Sequence, residues 1–346
     1  MPRYSILADK KFDYILSKTG NAILRYRPEE AVCVIDSVTA GKTAQEVLGY
    51  GGNVPVVDSL EASLKYSPDT LLIAIAPPGG RLPDSLRDII CCSMSEGLNI
   101  ISGLHTFLSD DEEFSCLAKK NQVTITDLRR PPSPLPFSKG SWRWRKTPVL
   151  LTVGSDCDTG KMTTAWEIKQ SLEEKGKKVA FIGTGQTGIL LGGRGVAVDA
   201  VVSDFVAGCI EYEIDKVGNE FDLIIVEGQG SLNHMAYSGV TLGLIHGTMP
   251  DMLIMCHEPD RELDTIDHPI PSLGEILDIH LKLLAPFKKT VYAGISLLTG
   301  QVNAQEAQLS VERIEKNEGI PTTDVIRFGG DKIVSQVFSY LKSHEI

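Results

Sequence analysis

The sequence lacks the features that mark several large classes of protein. Its 346 residues contain no apolar run near the roughly 18 residues that a membrane-spanning helix needs, and charges interrupt residues 1–11 too early for a signal peptide. Basic residues form no block and the formal net charge is −11, which disfavours binding to a nucleic-acid backbone. The seven cysteines are irregularly spaced with no Cys-x-x-Cys pair, which disfavours a disulfide framework and a structural zinc motif. We therefore expect a cytoplasmic protein with no membrane or nucleic-acid partner.

Short apolar runs alternate with amphipathic stretches along the whole chain, a pattern typical of an α/β fold. In the first part, strands are predicted near 31–35, 70–75, 99–101 and 122–126, and helices near 41–49, 82–96 and 110–120. In the second part, strands are predicted near 148–153, 178–182, 221–226, 251–256, 290–296 and 322–327. Helices are predicted there near 161–175, 204–217, 272–286, 304–318 and 331–343.

The most informative motif is a glycine loop that ends in a lysine. Residues 154–164 follow the apolar run 148–153 and precede a predicted helix, the order of a phosphate-binding P-loop. We predict that cofactor phosphates are bound by Gly154, Ser155, Asp156, Cys157, Asp158, Thr159, Gly160, Lys161, Met162, Thr163 and Thr164. Two details depart from the usual pattern. Five residues separate Gly154 from Gly160, and Met162 stands where a Mg²⁺-binding Ser or Thr normally follows the lysine.

A proline-rich segment separates the two parts of the chain. Prolines recur between residues 131 and 136, and proline both removes a backbone donor and restricts its predecessor. We predict a Rossmann-like domain over 1–130, a Pro/Trp/Arg-rich interdomain linker over 131–147 and a P-loop NTPase-like domain with a mainly parallel sheet over 148–346. Tryptophans 142 and 144 are predicted to pack on a domain and arginines 143 and 145 to be exposed; the alternative is a stacking platform.

A carboxylate follows the predicted strand 221–226. The strand is Walker B-like, and its end faces the P-loop in such sheets, so Glu227 is predicted to hold Mg²⁺ through water or to act as a base. The alternative is a structural role in capping the loop amides that follow. Gly228 and Gly230 favour the close approach of a ligand. If Mg²⁺ is used, the candidate metal ligands are Thr163 and Glu227.

The loops after three predicted strands are rich in hydrogen-bonding groups, and α/β proteins bind substrate in such loops. Substrate contacts are predicted for Gln186, Thr187, Gln229, Ser231, Tyr237, Ser238 and Arg261. His234, in the predicted loop 231–241, is a candidate general base, with a structural role as the alternative. The alternative for the glycine-rich loop 183–188 is a plain turn. Arg261 either binds a substrate carboxylate or neutralises its acidic neighbours.

Three motifs resemble those of a known family. They are Gly-Lys-Met-Thr-Thr at 160–164, Thr-Gly-Gln-Thr-Gly at 184–188 and a long Glu-Gly-Gln-Gly-Ser-Leu…His…Ala-Tyr-Ser-Gly-Val-Thr-Leu-Gly motif at 227–243. Together they resemble the D-glutamate N-acetyltransferase family, long known only as a domain of unknown function, and the likeness spans nearly the whole chain. The P-loop is also similar to that of the dethiobiotin synthetase and cobyric acid synthase class.

The resemblance implies a Rossmann-like domain before a P-loop domain, and N-acylation of an acidic, D-glutamate-like amino acid with acetyl-CoA as donor. CoA carries a phosphorylated ADP, and acyl transfer from a thioester requires neither a γ-phosphate nor Mg²⁺, so Met162 agrees with this chemistry. The reaction needs a base, with Glu227 and His234 as candidates, and donors for the oxyanion. Leu298 stands where the synthetase class commonly has an asparagine beside adenine, which disfavours conventional ATP recognition. The substrate is expected to be a small molecule and the protein a homo-oligomer.

Two other functions stay open at this point. The first is an ATP- and Mg²⁺-dependent ligase or carboxylase of the dethiobiotin synthetase type, in which Lys161 and Glu227 serve Mg·ATP. The second is a nucleotide-binding regulatory protein. Consumption of ATP coupled to a substrate would support the ligase, whereas nucleotide binding that changes only the oligomeric state would support the regulator.

Overall fold

The structure is a computed structural model that describes residues 1–14, 16–75 and 82–343. The chain divides into two compact units. One comprises residues 1–130 with 189–191, and the other comprises residues 131–188 and 192–346. None of the helices in the described residues is long and apolar enough to cross a membrane.

The first unit contains one parallel sheet. Its strands are β1 (Tyr4–Leu7), β2 (Ala31–Ile35), β3 (Val56–Val57), β4 (Thr70–Ile73), β5 (Asn99–Ser102) and β6 (Ile125–Asp127). They pair in the order β3-β2-β1-β4-β5-β6, and every described pairing is parallel. The helices are α1 (Lys18–Tyr26), α2 (Ala44–Leu48), α3 (Leu60–Leu64), α4 (Asp84–Ser95) and α5 (Glu112–Asn121). Fully buried side chains of α4 and α5 pack on this sheet and form its core.

The sequence prediction missed the strand at the centre of this sheet. β1 pairs with both β2 and β4, yet it spans only Tyr4–Leu7. The charged residues Arg3 and Asp9 stand on either side of this apolar run, so it was too short to be recognised from the sequence. The helices α1 and α3 were missed as well: Ser17 and Ser59 precede them as N-caps, but the helices span only 9 and 5 residues.

The second unit also contains a parallel sheet. Its strands are β7 (Val149–Gly154), β8 (Val179–Ile182), β9 (Leu223–Val226), β10 (Met252–His257), β11 (Val291–Leu297) and β12 (Thr322–Thr323). They pair in the order β12-β11-β10-β7-β9-β8, and every described pairing is parallel. The helices are α6 (Lys161–Glu174), α7 (Gln186–Gly192), α8 (Val206–Val217), α9 (Ser238–Thr248), α10 (Leu273–Leu284), α11 (Ala304–Glu318) and α12 (Asp331–Ser343). The predicted α/β fold with a Rossmann-like unit before a P-loop unit is confirmed.

Both faces of the second sheet are covered, which explains why its strands are continuous apolar runs in the sequence. Val149, Leu151 and Val153 of β7 belong to a core that includes buried residues of α8, α9 and α10. On the other side of the unit, Trp166 of α6 packs edge-to-face on Phe181 of β8, with ring centroids 5.0 Å apart.

Two helices of this unit correct the sequence prediction. The segments 183–188 and 231–241 were predicted as loops, but α7 begins at Gln186 and α9 begins at Ser238. The helix α9 was not predicted because it contains glycines, which have a low helix propensity. The structure shows why glycine is needed at position 247 of α9. A Cβ atom there would lie 2.6 Å from the carbonyl oxygen of Ala207 in α8, so only glycine permits this close helix packing.

The segment 131–147 belongs to the second unit, where part of it is fixed to α8. Glu211 of α8 is 4% exposed and accepts hydrogen bonds from the hydroxyl of Ser138 and from the backbone N–H of Lys139, the latter at 2.9 Å. At Gly208, a Cβ atom would lie 2.2 Å from the carbonyl oxygen of Pro136. The buried carboxylate of Glu211 therefore satisfies the backbone N–H groups of Lys139 and Ser141 in this irregular segment.

The predicted pattern of buried tryptophans and exposed arginines is wrong at two positions. Trp142 packs against the core of the second unit, as predicted, but the side chain of Trp144 is 67% exposed. Arg145 is largely buried and donates hydrogen bonds to the carbonyl oxygens of Thr248 and Met249 at the end of α9. These carbonyls have no partner within the helix, so an arginine that binds them is stabilising there.

His280 makes the stability of the second unit depend on pH. The side chain lies on α10 with no exposed surface; Nδ1 donates to the carbonyl oxygen of Ile276 at 2.7 Å, and Nε2 has no hydrogen-bond partner. Burial lowers the pKa of His280 from 6.5 to about 4. Between these values the unfolded chain binds more protons than the folded chain, so the free energy of unfolding decreases as the pH falls from 6.5 towards 4.

We therefore expect His280→Leu to reduce the acid sensitivity of the protein. On going from neutral pH to about pH 5, His280 lowers the free energy of unfolding by about 2 kcal/mol, at roughly 1.4 kcal/mol per pH unit below 6.5. The substitution should remove this loss. Chemical denaturation at neutral pH and at about pH 5 measures this difference. His105→Leu, at an exposed histidine of the first unit, is the control for the exchange of a histidine for leucine. Equal pH dependence in the wild type and His280→Leu would contradict the role of His280.

Candidate active site

The predicted site residues lie at one edge of the second sheet. Strands β8, β9, β7 and β10 are adjacent and parallel, so their carboxyl ends meet there. The loops that leave this edge carry the P-loop after β7, Glu227 after β9 and Arg261 after β10. This is the position at which parallel α/β sheets bind ligands.

The P-loop closes around its own lysine. Gly154 ends β7 and Lys161 begins α6. The Nζ atom of Lys161 donates hydrogen bonds to the carbonyl oxygen of Asp156 at 2.7 Å and to Oγ1 of Thr159 at 3.3 Å. A Cβ atom at Gly154 would lie 2.7 Å from that Nζ atom, so the loop needs glycine at this position. Burial lowers the pKa of Lys161, and an anion bound beside it would favour its charged form.

The first turn of α6 divides into residues that face the loop and one that faces the sheet. Thr164 is 2% exposed, and its hydroxyl hydrogen-bonds Oγ of Ser296 in β11 at 2.9 Å. Met162 directly follows the lysine in the helix, and it and Thr163 are partly exposed. The hydroxyl of Thr164 is therefore engaged in a hydrogen bond that joins α6 to β11.

Glu227 belongs to a set of residues that we call the Glu227 cluster, consisting of Thr184, Gly185, Gly188, Glu227 and Gln229. The side chain of Glu227 is 6% exposed, and its Oε2 atom accepts backbone N–H bonds from Thr184 at 2.9 Å and Gly185 at 3.3 Å. The Thr184 hydroxyl donates to the carbonyl oxygen of Glu227 at 2.9 Å, and Nε2 of Gln229 donates to the carbonyl oxygen of Thr184 at 2.6 Å. Glu227 thus binds the amides that precede α7, on the neighbouring loop.

The carboxyl group of Glu227 can gain and lose a proton near neutral pH. Burial raises its pKa to about 7, although the two backbone N–H bonds and the charge of Lys161 act in the opposite direction. Carboxylic acids with such a pKa are suited to general acid–base catalysis. The electrostatic influence of Lys161 also links this carboxyl group to the P-loop.

Two glycines allow the Glu227 loop to approach its neighbours. At Gly188 in α7, a Cβ atom would lie 2.0 Å from Oε2 of Glu227. At Gly228, a Cβ atom would lie 1.8 Å from the carbonyl oxygen of Thr152 and 3.3 Å from Cδ of Lys161. The backbone N–H of Gly228 also donates to Oγ1 of Thr152 at 2.9 Å. These contacts fix the carboxylate against both the P-loop strand and α7.

A second set of residues, the Asp156 cluster, consists of Asp156, Cys157, His234, Arg261 and Thr265. Oδ2 of Asp156 forms an ion pair with Arg261 at 2.9 Å and accepts the backbone N–H of Thr265 at 3.1 Å. Arg261 also contacts Oε2 of Glu258 and the carbonyl oxygen of Cys157, both at 3.2 Å. The arginine that the sequence suggested for substrate binding thus also pairs with protein carboxylates.

Both ring nitrogens of His234 are engaged. The side chain is 1% exposed; Nε2 lies 2.8 Å from Oγ1 of Thr265, and Nδ1 accepts the backbone N–H of Ala236 at 3.2 Å. Because Nδ1 accepts a hydrogen bond, the proton of the neutral ring is on Nε2. In this arrangement His234 has no lone pair available for a substrate proton, so the geometry favours Glu227 as the base.

The other predicted substrate residues are distributed around the two clusters. Gln186 and Thr187 lie in the first turn of α7, beside Glu227. Ser231 is buried and donates to the carbonyl oxygen of Ser155 in the P-loop at 3.1 Å. The half-exposed Tyr237 lies with its ring centroid 4.8 Å from that of His234, and Ser238 begins α9.

Thr184, Thr265 and His257 contact the predicted site residues but were not themselves predicted. Thr184 binds Glu227, and Thr265 joins His234 to Asp156. The ring of His257, at the end of β10, lies with Nδ1 2.9 Å from Oγ of Ser155, and burial lowers its pKa to about 4. Thr184 lies in a motif that the sequence analysis recognised, whereas no local pattern distinguishes Thr265 from other loop threonines.

The chain matches families and proteins of known sequence over nearly its whole length. Residues 136–334 match DUF1611, a domain of unknown function described as a P-loop domain, and residues 37–131 match DUF1611_N, described as a Rossmann-like domain. A D-glutamate N-acetyltransferase of Tritonibacter scottomollicae is 36% identical over 327 residues, 93% of this chain and 94% of that protein. One of a Pseudoalteromonas species is 33% identical over 341 residues, 97% and 98% of the two chains.

A solved structure has the same fold. The crystal structure of a DUF1611 family protein from Anabaena variabilis ATCC 29413, at 2.30 Å resolution, is 35% identical to this chain and has a TM-score of 0.92. The match covers 98% of this chain and 100% of the Anabaena chain.

We expect Gly188→Ala to destabilise the protein, although alanine normally stabilises a helix relative to glycine. The new methyl group would displace the Glu227 carboxylate or α7, at a cost of about 1–3 kcal/mol in the free energy of unfolding. Thermal unfolding measures the effect. Gly274→Ala in α10 is the matched control, since its Cβ atom would meet its nearest neighbour at 3.5 Å. If both variants were as stable as the wild type, the close approach at Gly188 would be disproved.

Proposed function

This chain belongs to the DUF1611 family, and from that premise we propose that it is an N-acetyltransferase that transfers the acetyl group of acetyl-CoA to an acidic amino acid of the D-glutamate type. The names of two relatives at 33–36% identity support this activity. The observation that carries the proposal is the buried carboxyl group of Glu227 beside the P-loop, with a pKa of about 7.

The P-loop is proposed to bind the phosphates of the CoA donor. The backbone turns at Asp158 and Gly160, with φ angles of 56° and 82°, orient the loop before α6. Lys161 lies inside this loop at the first position of the helix, where backbone N–H groups and the helix dipole favour an anion. Neither phosphate binding nor thioester chemistry requires the hydroxyl that Met162 replaces.

The substrate amine must lose its proton before it can attack the thioester. A carboxylate with a pKa near 7 is half ionised at neutral pH and can accept this proton from an ammonium group. The amine nitrogen then forms a bond to the acetyl carbonyl carbon, and the C–S bond to CoA breaks. Of the two protons that the nitrogen loses overall, one ends on the CoA thiol and the other is released to water.

The substrate contacts proposed for this activity come from the loops around Glu227. Gln186 and Thr187 begin α7 next to the carboxylate, and Gln229 lies two residues after it. Ser231, Tyr237, Ser238 and Arg261 remain proposed contacts from the loops on the other side of the P-loop. Arg261 would exchange part of its contact with Asp156 or Glu258 for a substrate carboxylate.

Glu227→Gln should lower kcat/KM about 10²–10⁴-fold, because an amide cannot accept the amine proton. In the wild type, kcat/KM should fall about tenfold per pH unit below a pH of about 7, as Glu227 becomes protonated. Release of the CoA thiol with D-glutamate as substrate measures both effects.

His234→Gln distinguishes the two candidate bases in the same assay. We expect this variant to keep the decline in kcat/KM below pH 7. If His234→Gln removed the decline and Glu227→Gln retained it, His234 would be the base.

Ligand-dependent thermal stability tests the donor. Acetyl-CoA at about 100 times its Kd should stabilise the protein by about 2.7 kcal/mol, and Lys161→Ala should lose this stabilisation. Lys169→Ala is the matched control, since Lys169 lies on the same helix and pairs with Glu173 at 2.6 Å. Stabilisation by Mg·ATP but not by CoA or acetyl-CoA would overturn the acetyltransferase and favour the ATP-dependent ligase.

A further inference from the structure

The P-loop and the loop after β9 bring together three side chains that can ligate a metal ion. One ligand atom each from Asp156, Cys157 and His234 lie within 4.8 Å of one another. We propose that these residues bind a single transition-metal ion of the Zn²⁺ class. The proposal does not rest on the acetyltransferase function, because metal binding and acetyl transfer are measured separately.

Asp156 has a buried carboxylate oxygen that lacks a partner. The residue is 1% exposed. Arg261 and the backbone N–H of Thr265 occupy Oδ2, whereas Oδ1 is buried with no hydrogen-bond partner. An unpaired carboxylate oxygen inside a protein costs free energy. A metal ion bound to Oδ1 would remove this cost, and Arg261 would then hold the ligating carboxylate in place, as outer partners of metal ligands do.

The hydroxyl of Thr265 already bridges the other two donors. It lies 2.8 Å from Nε2 of His234 and hydrogen-bonds the thiol of Cys157. Ligand atoms around tetrahedral Zn²⁺ are separated by roughly 3.5 Å, given the usual Zn–S and Zn–N distances. Since the three ligand atoms lie within 4.8 Å of one another, the cluster needs to contract by about 1.3 Å at most, with the metal replacing the bridge through Thr265.

The surrounding charges decide which metal fits. Two positively charged groups lie beside Asp156 and disfavour the binding of a cation. They are the guanidinium of Arg261, which pairs with its carboxylate, and the ammonium of Lys161, which donates a hydrogen bond to its carbonyl oxygen. Mg²⁺ and Ca²⁺ bind oxygen ligands and depend on negative charge, so this site disfavours them. Thiolate and imidazole ligands select Zn²⁺ and chemically similar ions. Three protein ligands would leave the fourth position for water or a substrate.

Metal binding through Nε2 of His234 requires a change of tautomer. Nδ1 now accepts the N–H of Ala236 at 3.2 Å, so Nε2 carries the proton. For Nε2 to bind a metal, the proton must move to Nδ1, and this long hydrogen bond is lost. A single net hydrogen bond contributes far less free energy than the binding of a structural Zn²⁺ ion. The cost is small on this scale.

The same three residue types occur in Cys–His–Asp nucleophile triads, but the geometry here differs from a triad. In a triad the carboxylate orients the histidine. Here Asp156 pairs with Arg261, and Nδ1 of His234 contacts a backbone amide. The arrangement therefore fits a metal site better than a covalent nucleophile.

Co²⁺ provides the test, because a thiolate ligand gives a charge-transfer band and tetrahedral coordination gives strong visible bands. The parent protein for the test carries Cys91→Ser, Cys92→Ser and Cys116→Ser, which remove the partly or fully exposed thiols outside the site. We expect one equivalent of Co²⁺ to bind with both spectral features and Zn²⁺ to displace it. Cys157→Ser should lose the charge-transfer band and weaken binding at least tenfold.

Asp156→Asn provides a second variant and should weaken Co²⁺ binding with the charge-transfer band retained at saturation. Circular dichroism checks that each variant is folded. If the folded parent bound no Co²⁺, or if the charge-transfer band persisted in Cys157→Ser, the metal site would be disproved. Acetylation of Cys157 by acetyl-CoA, seen as an added acetyl mass in a parent that binds no Co²⁺, would assign the cluster to a nucleophile instead.

Discussion

The parallel pairing of β9 between β7 and β8 is the constraint on which the candidate active site depends. The register places Leu151 of β7 and Ile182 of β8 opposite Val226, the last residue of β9. The residue after Val226 therefore emerges at the same edge as the P-loop and the loop before α7. The position of Glu227 follows from this pairing. Thr184 of the neighbouring loop then donates hydrogen bonds to its side chain and its backbone, and the next residue, Gly228, donates to Thr152 of β7.

Glu227 combines a structural and a proposed chemical role in one carboxyl group. The N–H bonds from Thr184 and Gly185 resemble those of a helix cap and favour the charged form. Burial opposes them and dominates, which raises the pKa of this carboxyl to about 7. The alternative considered from the sequence was a cap on the loop amides that follow Glu227. The structure instead shows the carboxylate binding amides of the neighbouring loop, which hold it in place while leaving it able to titrate.

The sequence predicted the elements whose pattern is local. The strand, loop and helix around Lys161 and the helix 304–318 were found because apolar runs and start signals lie within a few residues. Predictions were wrong where long-range packing decides: the glycines of α9 permit contact with α8, and the charged Arg145 binds the end of α9. Thr265 lies 109 residues from Asp156, and the sequence gives no sign of their contact.

The close approach of Gly188 to Glu227 also limits how this family can vary. A side chain at position 188 and the carboxylate of a glutamate at position 227 would occupy the same space, since a Cβ atom at position 188 would lie 2.0 Å from Oε2 of Glu227. A shorter aspartate at position 227 would withdraw the carboxylate and leave room for a methyl group on α7. The two positions are 39 residues apart in the sequence, yet we expect their substitutions to be coupled, so that relatives with a larger residue at one position carry a smaller one at the other.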